Sequence, residues 1–355
     1  MKKTILYIGW VGFGNHGDDL CYDLFVQNMV KKGQEQGIEL DLTALFPSNF
    51  NEYSLARLAP DVVVLGAGSL FEPVYLKALV LAQQSSIPTA IWGSGYDSMY
   101  PSPIDPTLID PDSAFMIRQV VQKANKIGVR GPYTLEMLNA IGAEHETLHI
   151  SGDPGLLLTS ENQESSLTDL VTFKKPIVAV NWGTASNRVL GENEQEVALD
   201  LATVLSELTS DYTIVIYPVW KRDVNACAKL SSLIEGQDAV YCLNRVPTIT
   251  ELTDLYMRSL FSINMKLHAN VFSAALGVPF ICLAYRMKGL DFASSLNWDR
   301  FCILFSDKSR LEMLRHAIKQ LSSDLDNQKV LLTQKTAAYK GKLEQLSDEI
   351  IALLL

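Results

Sequence analysis

Short apolar runs alternate with amphipathic stretches along this chain. Ile5-Leu6-Tyr7-Ile8, Val62-Val63-Val64-Leu65, Thr89-Ala90-Ile91-Trp92, Ile177-Val178-Ala179-Val180-Asn181, Thr213-Ile214-Val215-Ile216-Tyr217, Phe261-Ser262-Ile263-Asn264 and Pro279-Phe280-Ile281-Cys282-Leu283 each read as a buried strand. Strands that are apolar on both faces, several ending in glycine and separated by helix-length segments, predict parallel sheets covered on both sides. Asp18 to Lys32 is the helix after the first strand. The segment from about Leu311 to Leu355 spaces Leu, Ile and Ala by three and four and predicts amphipathic helix. The rhythm breaks at 160–175, where Ser160-Glu161-Asn162-Gln163-Glu164-Ser165-Ser166 is polar and aperiodic, as expected of a linker. The predicted fold is therefore α/β, with two parallel-sheet domains at 1–160 and 176–325 facing a cleft, and a helical segment at 326–355.

Length and composition agree: 355 residues exceed one core of ordinary size, and 48% hydrophobic with 20% charged residues is globular composition. Thirty basic against forty acidic side chains give a net charge of −10, which argues against nucleic acid as a partner. Cys21, Cys227, Cys242, Cys282 and Cys302 are an odd number without a CxxC pair, a pattern for a reducing cytoplasm rather than for disulfides or a zinc motif. Met1-Lys2-Lys3 precedes too short an apolar run for a signal peptide, and no stretch is long enough to span a bilayer. The expected location is cytoplasmic. Peripheral contact with the inner membrane face and homo-oligomerisation stay open.

Three glycine loops follow predicted strands. Gly12-Phe13-Gly14-Asn15-His16-Gly17 fits a dinucleotide turn by spacing. Asp18 and Asp19 follow at the helix start, where they are expected to cap the helix and suit its dipole but repel a pyrophosphate, so a tight turn with an aspartate N-cap competes with any ligand role. Gly66-Ala67-Gly68-Ser69-Leu70-Phe71 and Trp92-Gly93-Ser94-Gly95-Tyr96 complete a ligand-facing sheet edge. In the second half Lys266, His268, Arg286 and Lys288 lie just after two consecutive strands with no carboxylate between Lys266 and Lys288. Such a cluster suits a small ligand with phosphate and carboxylate groups. His145 and His149 stand four apart without a nearby third ligand, so neither a metal nor a cofactor is expected.

Five segments, in order, resemble motifs of the polysaccharide pyruvyl transferase family. They are Gly14-Asn15-His16-Gly17-Asp18-Asp19, Leu65-Gly66-Ala67-Gly68-Ser69-Leu70-Phe71, Val129-Arg130-Gly131-Pro132-Tyr133-Thr134, Ser151-Gly152-Asp153-Pro154, and Met265-Lys266-Leu267-His268-Ala269-Asn270 continuing to Phe280. The resemblance implies a GT-B-like fold of two Rossmann-like domains. It also implies transfer of a pyruvyl group from phosphoenolpyruvate to two hydroxyls of a sugar, forming a ketal, on a cell-surface polysaccharide or its lipid-linked precursor. By the same resemblance Arg130, Lys266, His268 and Lys288 are donor-binding positions, and Arg286 joins them from the basic cluster. His268 is the expected general acid or donor to departing phosphate, and Asp18 or Asp153 the base, although Asp153 before Pro154 equally fits a turn. Phe13, Asn15, Gly68 and Ser69 are expected to meet the acceptor. The family usually carries arginine at the position of Lys266, and lysine offers a point charge without the bidentate fork. Two alternatives share the cluster: a GT-B-type glycosyltransferase with a nucleotide-sugar donor, and a non-catalytic glycan- or nucleotide-binding protein.

Overall fold

The computed structural model describes residues 2–99, 105–160, 175–191 and 193–355. Of the expected linker, residues 161–174 lie outside the described residues. The first sheet contains β1 (Lys2–Ile8), β2 (Glu39–Leu45), β3 (Val62–Leu65), β4 (Thr89–Ser94), β5 (Lys126–Val129) and β6 (His149–Ile150), in the order β2-β1-β3-β4-β5-β6. The second contains β7 (Ile177–Asn181), β8 (Thr213–Tyr217), β9 (Val240–Cys242), β10 (Ser259–Asn264), β11 (Phe280–Ala284) and β12 (Cys302–Leu304), in the order β12-β11-β10-β7-β8-β9. Every pairing in both sheets is parallel. The architecture is two Rossmann-like domains with helices on the sheet faces, as the apolar runs predict.

In each sheet the chain direction of winding reverses once. β1 and β3 are neighbours in the first sheet, and β7 and β10 in the second. Connections leave opposite ways from such a pair, which opens a crevice beyond the carboxyl ends of the strands. The loops after β1 and β3 therefore face a crevice on one side, and those after β7 and β10 on the other.

The C-terminal region forms two helices, Arg310–Ser323 and Leu325–Ala352, with the break at Asp324. The second helix crosses back to the first domain. Leu346, Ile350 and Ile351 are buried in the same core as Tyr7, Phe25 and Trp92, and Trp92 Nε1 donates to Ser347 Oγ at 3.3 Å. Its apolar face thus covers the first sheet, and Lys32–Asp348 and Lys126–Glu349 ion pairs at 2.8 and 3.4 Å flank it. Among the described residues no helix is long and apolar enough to cross a membrane.

Candidate functional site

The crevices of the two sheets meet in a cavity of about 250 Å³. Trp10, Asn15, Asp18, Gly68, Ser69 and Leu70 line it from the loops and helix after β1 and β3. Val219, Trp220, Asp223, Lys266, Leu267, His268, Tyr285 and Lys288 line it from the loops after β8, β10 and β11. The halves touch backbone to backbone: Asn15 and Trp220 form an antiparallel bridge, and His16 N donates to Val219 O at 3.4 Å.

Helix His16–Glu35 begins at Asn15, whose side chain accepts from Gly17 N. Asn15, not Asp18, is the cap, and Asp18 and Asp19 occupy the first turn, where the dipole favours them. Asp19 Oδ1 accepts the Gly12 amide at 2.7 Å and so ties the glycine loop to the helix. Asp18 Oδ2 accepts from Asn15 Nδ2 and faces the cavity. Burial pushes its pKa up to about 7, Lys288 opposing and Asp153 and Asp19 assisting.

Helix Leu267–Ala275 is buried along its whole length, with Lys266 as the residue before its first turn. Asn181, at the end of β7, accepts the Lys266 amide through Oδ1 at 3.0 Å and so joins the ends of β7 and β10. Lys266 Nζ lies 3.2 Å from Asp223 Oδ1 and donates to Thr184 O at 2.8 Å. This neighbourhood requires Gly183, since a β-carbon there would meet the Asp223 carboxylate and Lys266 Cε at about 2.5 Å. Lys288 Nζ reaches into the same cavity, 3.5 Å from Asp97 Oδ2 and 5.2 Å from the Tyr285 ring centre, on which Lys266 Nζ also stands at 5.5 Å. Burial works against the charge of Lys288, but Tyr285 and Asp97 outweigh it and raise its pKa. Two ammonium groups thus stand against one aromatic ring, each also paired with a carboxylate.

His268 lines the cavity but is otherwise enclosed. Burial, with Lys288 and Arg130 adding repulsion, lowers its pKa to about 3. The ring is therefore neutral near pH 7, which leaves the expected general-acid role without its proton in the absence of an anion. Asp18, pushed up to about 7, is an acid of this cavity poised near neutrality.

The remaining expected residues fall around the cavity rather than on it. Arg130 is 0% exposed, and its Nε meets Asp291 Oδ2 at 3.2 Å while Nη2 donates to Tyr96 O at 2.9 Å. Asp291 also accepts from Tyr133 N, Thr134 N and Thr134 Oγ1. Arg130 thus bolts the first domain to helix Met287–Ser295 of the second, and reaches the cavity only through Ser69 Oγ at 3.4 Å. Arg286 Nε lies 3.0 Å from Asp97 Oδ2, outside the cavity lining. Asp153 is buried behind the wall, where it caps the 3₁₀ turn Pro154–Leu157 and Oδ1 accepts Gly155 N at 3.0 Å. Burial raises its pKa to about 6 against the pull of Arg130. Phe13 is 45% exposed and stacks on Trp10, with ring centres 4.2 Å apart, so Trp10 rather than Phe13 reaches the cavity.

The profile of the family described as "Polysaccharide pyruvyl transferase" matches residues 15–286. The chain belongs to that family. No curated protein matches it in sequence. Among solved structures it is similar to Staphylococcus aureus MnaA in complex with UDP, at 13% identity and a TM-score of 0.61, over 94% of this chain and 90% of that one. It is likewise similar to the Neisseria meningitidis UDP-GlcNAc 2-epimerase bound to UDP-GlcNAc, at 10% identity and a TM-score of 0.61, over 97% and 100% of the two chains. Sucrose-phosphate synthase from Thermosynechococcus elongatus has a TM-score of 0.62 at 12% identity, over 99% and 98%. At such identities these likenesses concern the fold alone, and the fold is GT-B-like.

In this pyruvyl transferase family member the cavity and its ion pairs also involve positions that the sequence pattern did not single out. Asp223 and Trp220 follow β8, Tyr285 ends the run of β11, and Asp97 extends the third glycine loop. The available signal was polar or aromatic residues just past the carboxyl end of a buried strand, which Trp220-Lys221-Arg222-Asp223 displays.

Proposed function

We propose that this protein transfers a pyruvyl group from phosphoenolpyruvate to two hydroxyls of a sugar, forming a ketal and releasing phosphate. The observation that carries this reading is that Lys266 and Lys288 share one cavity with Asp18. A dense small anion needs converging cations, and the two lysines would bind its carboxylate and phosphate by charge-assisted hydrogen bonds. Asp223 and Asp97 hold the same ammonium groups at 3.2 and 3.5 Å and keep them aimed inward. The donor's methylene carbon takes a proton from protonated Asp18. The adjacent carbon, now of oxocarbenium character, is attacked by one acceptor hydroxyl, whose proton returns to the Asp18 carboxylate. The C–O bond to phosphate breaks and the second hydroxyl closes the ketal, its proton leaving with phosphate. Neutral His268 offers a hydrogen bond and no charge, which suits a wall meant to hold rather than repel the intermediate. The acceptor would meet Trp10 and Trp220, which line the cavity.

Arg130 and Arg286 act in this reading as positioning residues, Arg130 through Ser69 and Arg286 through Asp97. Asp153 has no contact with donor or acceptor in it. A lipid-linked acceptor would bring the protein to a membrane surface, and this remains part of the proposal.

A second reading, a nucleotide-sugar donor, is favoured by a neighbouring cavity of about 840 Å³ lined by Trp182, Thr184, Glu194, Arg222 and Lys229. Volume separates the two: about 250 Å³ at the lysines falls below the ~300 Å³ lower bound usual for drug-sized ligands and suits a three-carbon acid phosphate. The test is phosphate release from phosphoenolpyruvate with a panel of sugar acceptors, with mass spectrometry for a pyruvyl ketal on the sugar. Turnover of a UDP-sugar with no release of phosphate from phosphoenolpyruvate would replace this reading by the second.

A further inference from the structure

Behind the His268 ring, three side chains from distant parts of the chain converge. Cys21 lies one helical turn after Gly17, Asp153 precedes the 3₁₀ turn after β6, and His268 is the second residue of the helix after β10. One ligand atom from each, the cysteine Sγ, a carboxylate oxygen and an imidazole nitrogen, falls within 4.8 Å of the others. Sγ of Cys21 and Nε2 of His268 are 3.9 Å apart, and the three residues are 0%, 0% and 8% exposed. A tetrahedral ion with metal–sulfur and metal–nitrogen bonds of about 2.3 and 2.0 Å holds such atoms roughly 3.5 Å apart. The Cys21–His268 pair at 3.9 Å is a few tenths of an ångström wider than that, and the Asp153 oxygen, within 4.8 Å of both, must close in on the ion as well.

A separate observation points the same way. Asp153 Oδ2 is fully buried without a hydrogen-bond partner from the protein, whereas Oδ1 has the Gly155 amide. A buried carboxylate oxygen left unpaired is costly unless it takes a proton or a cation. The imidazole, held neutral by its surroundings, keeps a lone pair on one nitrogen, the form in which histidine ligates metals, and Nε2 is the nitrogen that faces Cys21 Sγ.

We propose that Cys21, Asp153 and His268 form a binding site for one divalent transition metal of the zinc class. Thiolate, imidazole and carboxylate together select a borderline-soft ion over magnesium or calcium. Three protein ligands leave a fourth position, and His268 is the ligand that borders the cavity, so the ion and a small oxygen ligand enter from there. The site joins the two domains, because Cys21 and Asp153 belong to the first half and His268 to the second. It stands independently of pyruvyl transfer.

The experiment is a titration of chelator-treated full-length protein with cobalt(II), followed by absorbance. The expected result is saturation at one equivalent, with a thiolate-to-cobalt charge-transfer band in the near ultraviolet and tetrahedral d–d bands in the visible. Cys21→Ser should abolish the charge-transfer band, Cys242→Ser should keep it, and Asp153→Asn should weaken binding at least tenfold. Zinc should displace cobalt and raise the melting temperature of wild type but not of Cys21→Ser. Absence of saturable uptake by the folded wild type overturns the proposal, as does a charge-transfer band that survives in Cys21→Ser. Since the wild-type result is itself decisive, a variant that fails to fold does not shelter the idea.

Discussion

Gly17 and His268 meet so closely between the two domains that a β-carbon on Gly17 would lie 1.8 Å from His268 Nδ1. The glycine is therefore fixed by the imidazole rather than by its backbone angles. Gly17→Ala must displace the ring or open the domain contact, and overpacking of this kind costs about 1–3 kcal/mol. The expected outcome is a lower melting temperature together with a loss of phosphate release. Gly341→Ala is the contrast, since nothing lies within 4 Å of its added carbon in a helix interior. It should raise stability by up to about 1 kcal/mol and leave activity unchanged.

Lys266 is held by Asp223, on the cavity wall, and by Thr184 O. Removing its charge with Lys266→Met leaves Asp223 buried without its partner and deprives the donor of one cation. Charge-assisted hydrogen bonds are worth about 1.5–3 kcal/mol, so phosphoenolpyruvate binding measured by calorimetry should weaken roughly ten- to a hundredfold. Unchanged affinity would remove the donor from this cavity. Asp223→Asn should weaken binding less, because Lys266 keeps its carbonyl partner.

Asp18 titrates at about 7 in the surroundings of Lys288, Asp153, Asp19 and Arg130. It is protonated below that pH and ionised above it. If it supplies the proton to the methylene carbon, the turnover rate should fall as pH rises through about 7, approaching tenfold per pH unit beyond it. The linked effect on stability has the same sign. A carboxyl whose folded-state pKa is raised binds more protons folded than unfolded, so its contribution falls between about pH 4 and pH 7. Asp18→Asn should abolish most turnover and, at pH 8, melt above wild type. A pH–rate profile with no descending limb near 7 would assign the acid elsewhere.

Arg130 and Asp291 form a fully buried ion pair across the domain interface. Breaking such a pair from one side costs about 3–5 kcal/mol, since an uncompensated charge is left behind. Arg130→Met should therefore lower the urea midpoint sharply, whereas Arg130→Met with Asp291→Leu should recover part of the loss. Recovery is incomplete because Asp291 also accepts the Tyr133 and Thr134 amides and the Thr134 hydroxyl. If Arg130 acts only by positioning, the affinity for phosphoenolpyruvate should change far less than stability does.

Much of the fold was legible because buried parallel strands write themselves as unbroken apolar runs. Val62–Leu65, Ile177–Asn181 and Thr213–Tyr217 begin and end where their patterns do. Short or half-buried strands such as β6 and β9 have no such signature. Lys266, Lys288 and His268 could be placed at a strand-end edge from order alone. Order did not reveal that Arg130 and Arg286 are taken up by Asp291 and Asp97, since those partners come from the opposite domain.

By itself the sequence determined local matters: which segments are strands, where glycine permits a close approach, and which cations follow which strand. These follow from side-chain burial and backbone sterics within a few residues. Only the tertiary structure decided the protonation and partnership of the site residues. Asp18 is raised and His268 lowered because both are desolvated, and desolvation comes from packing between domains. The same holds for Cys21, Asp153 and His268, which no sequence spacing connects and which the meeting of two crevices brings within 4.8 Å. Charge and coordination act through distance in space, and in this chain the two domains set that distance.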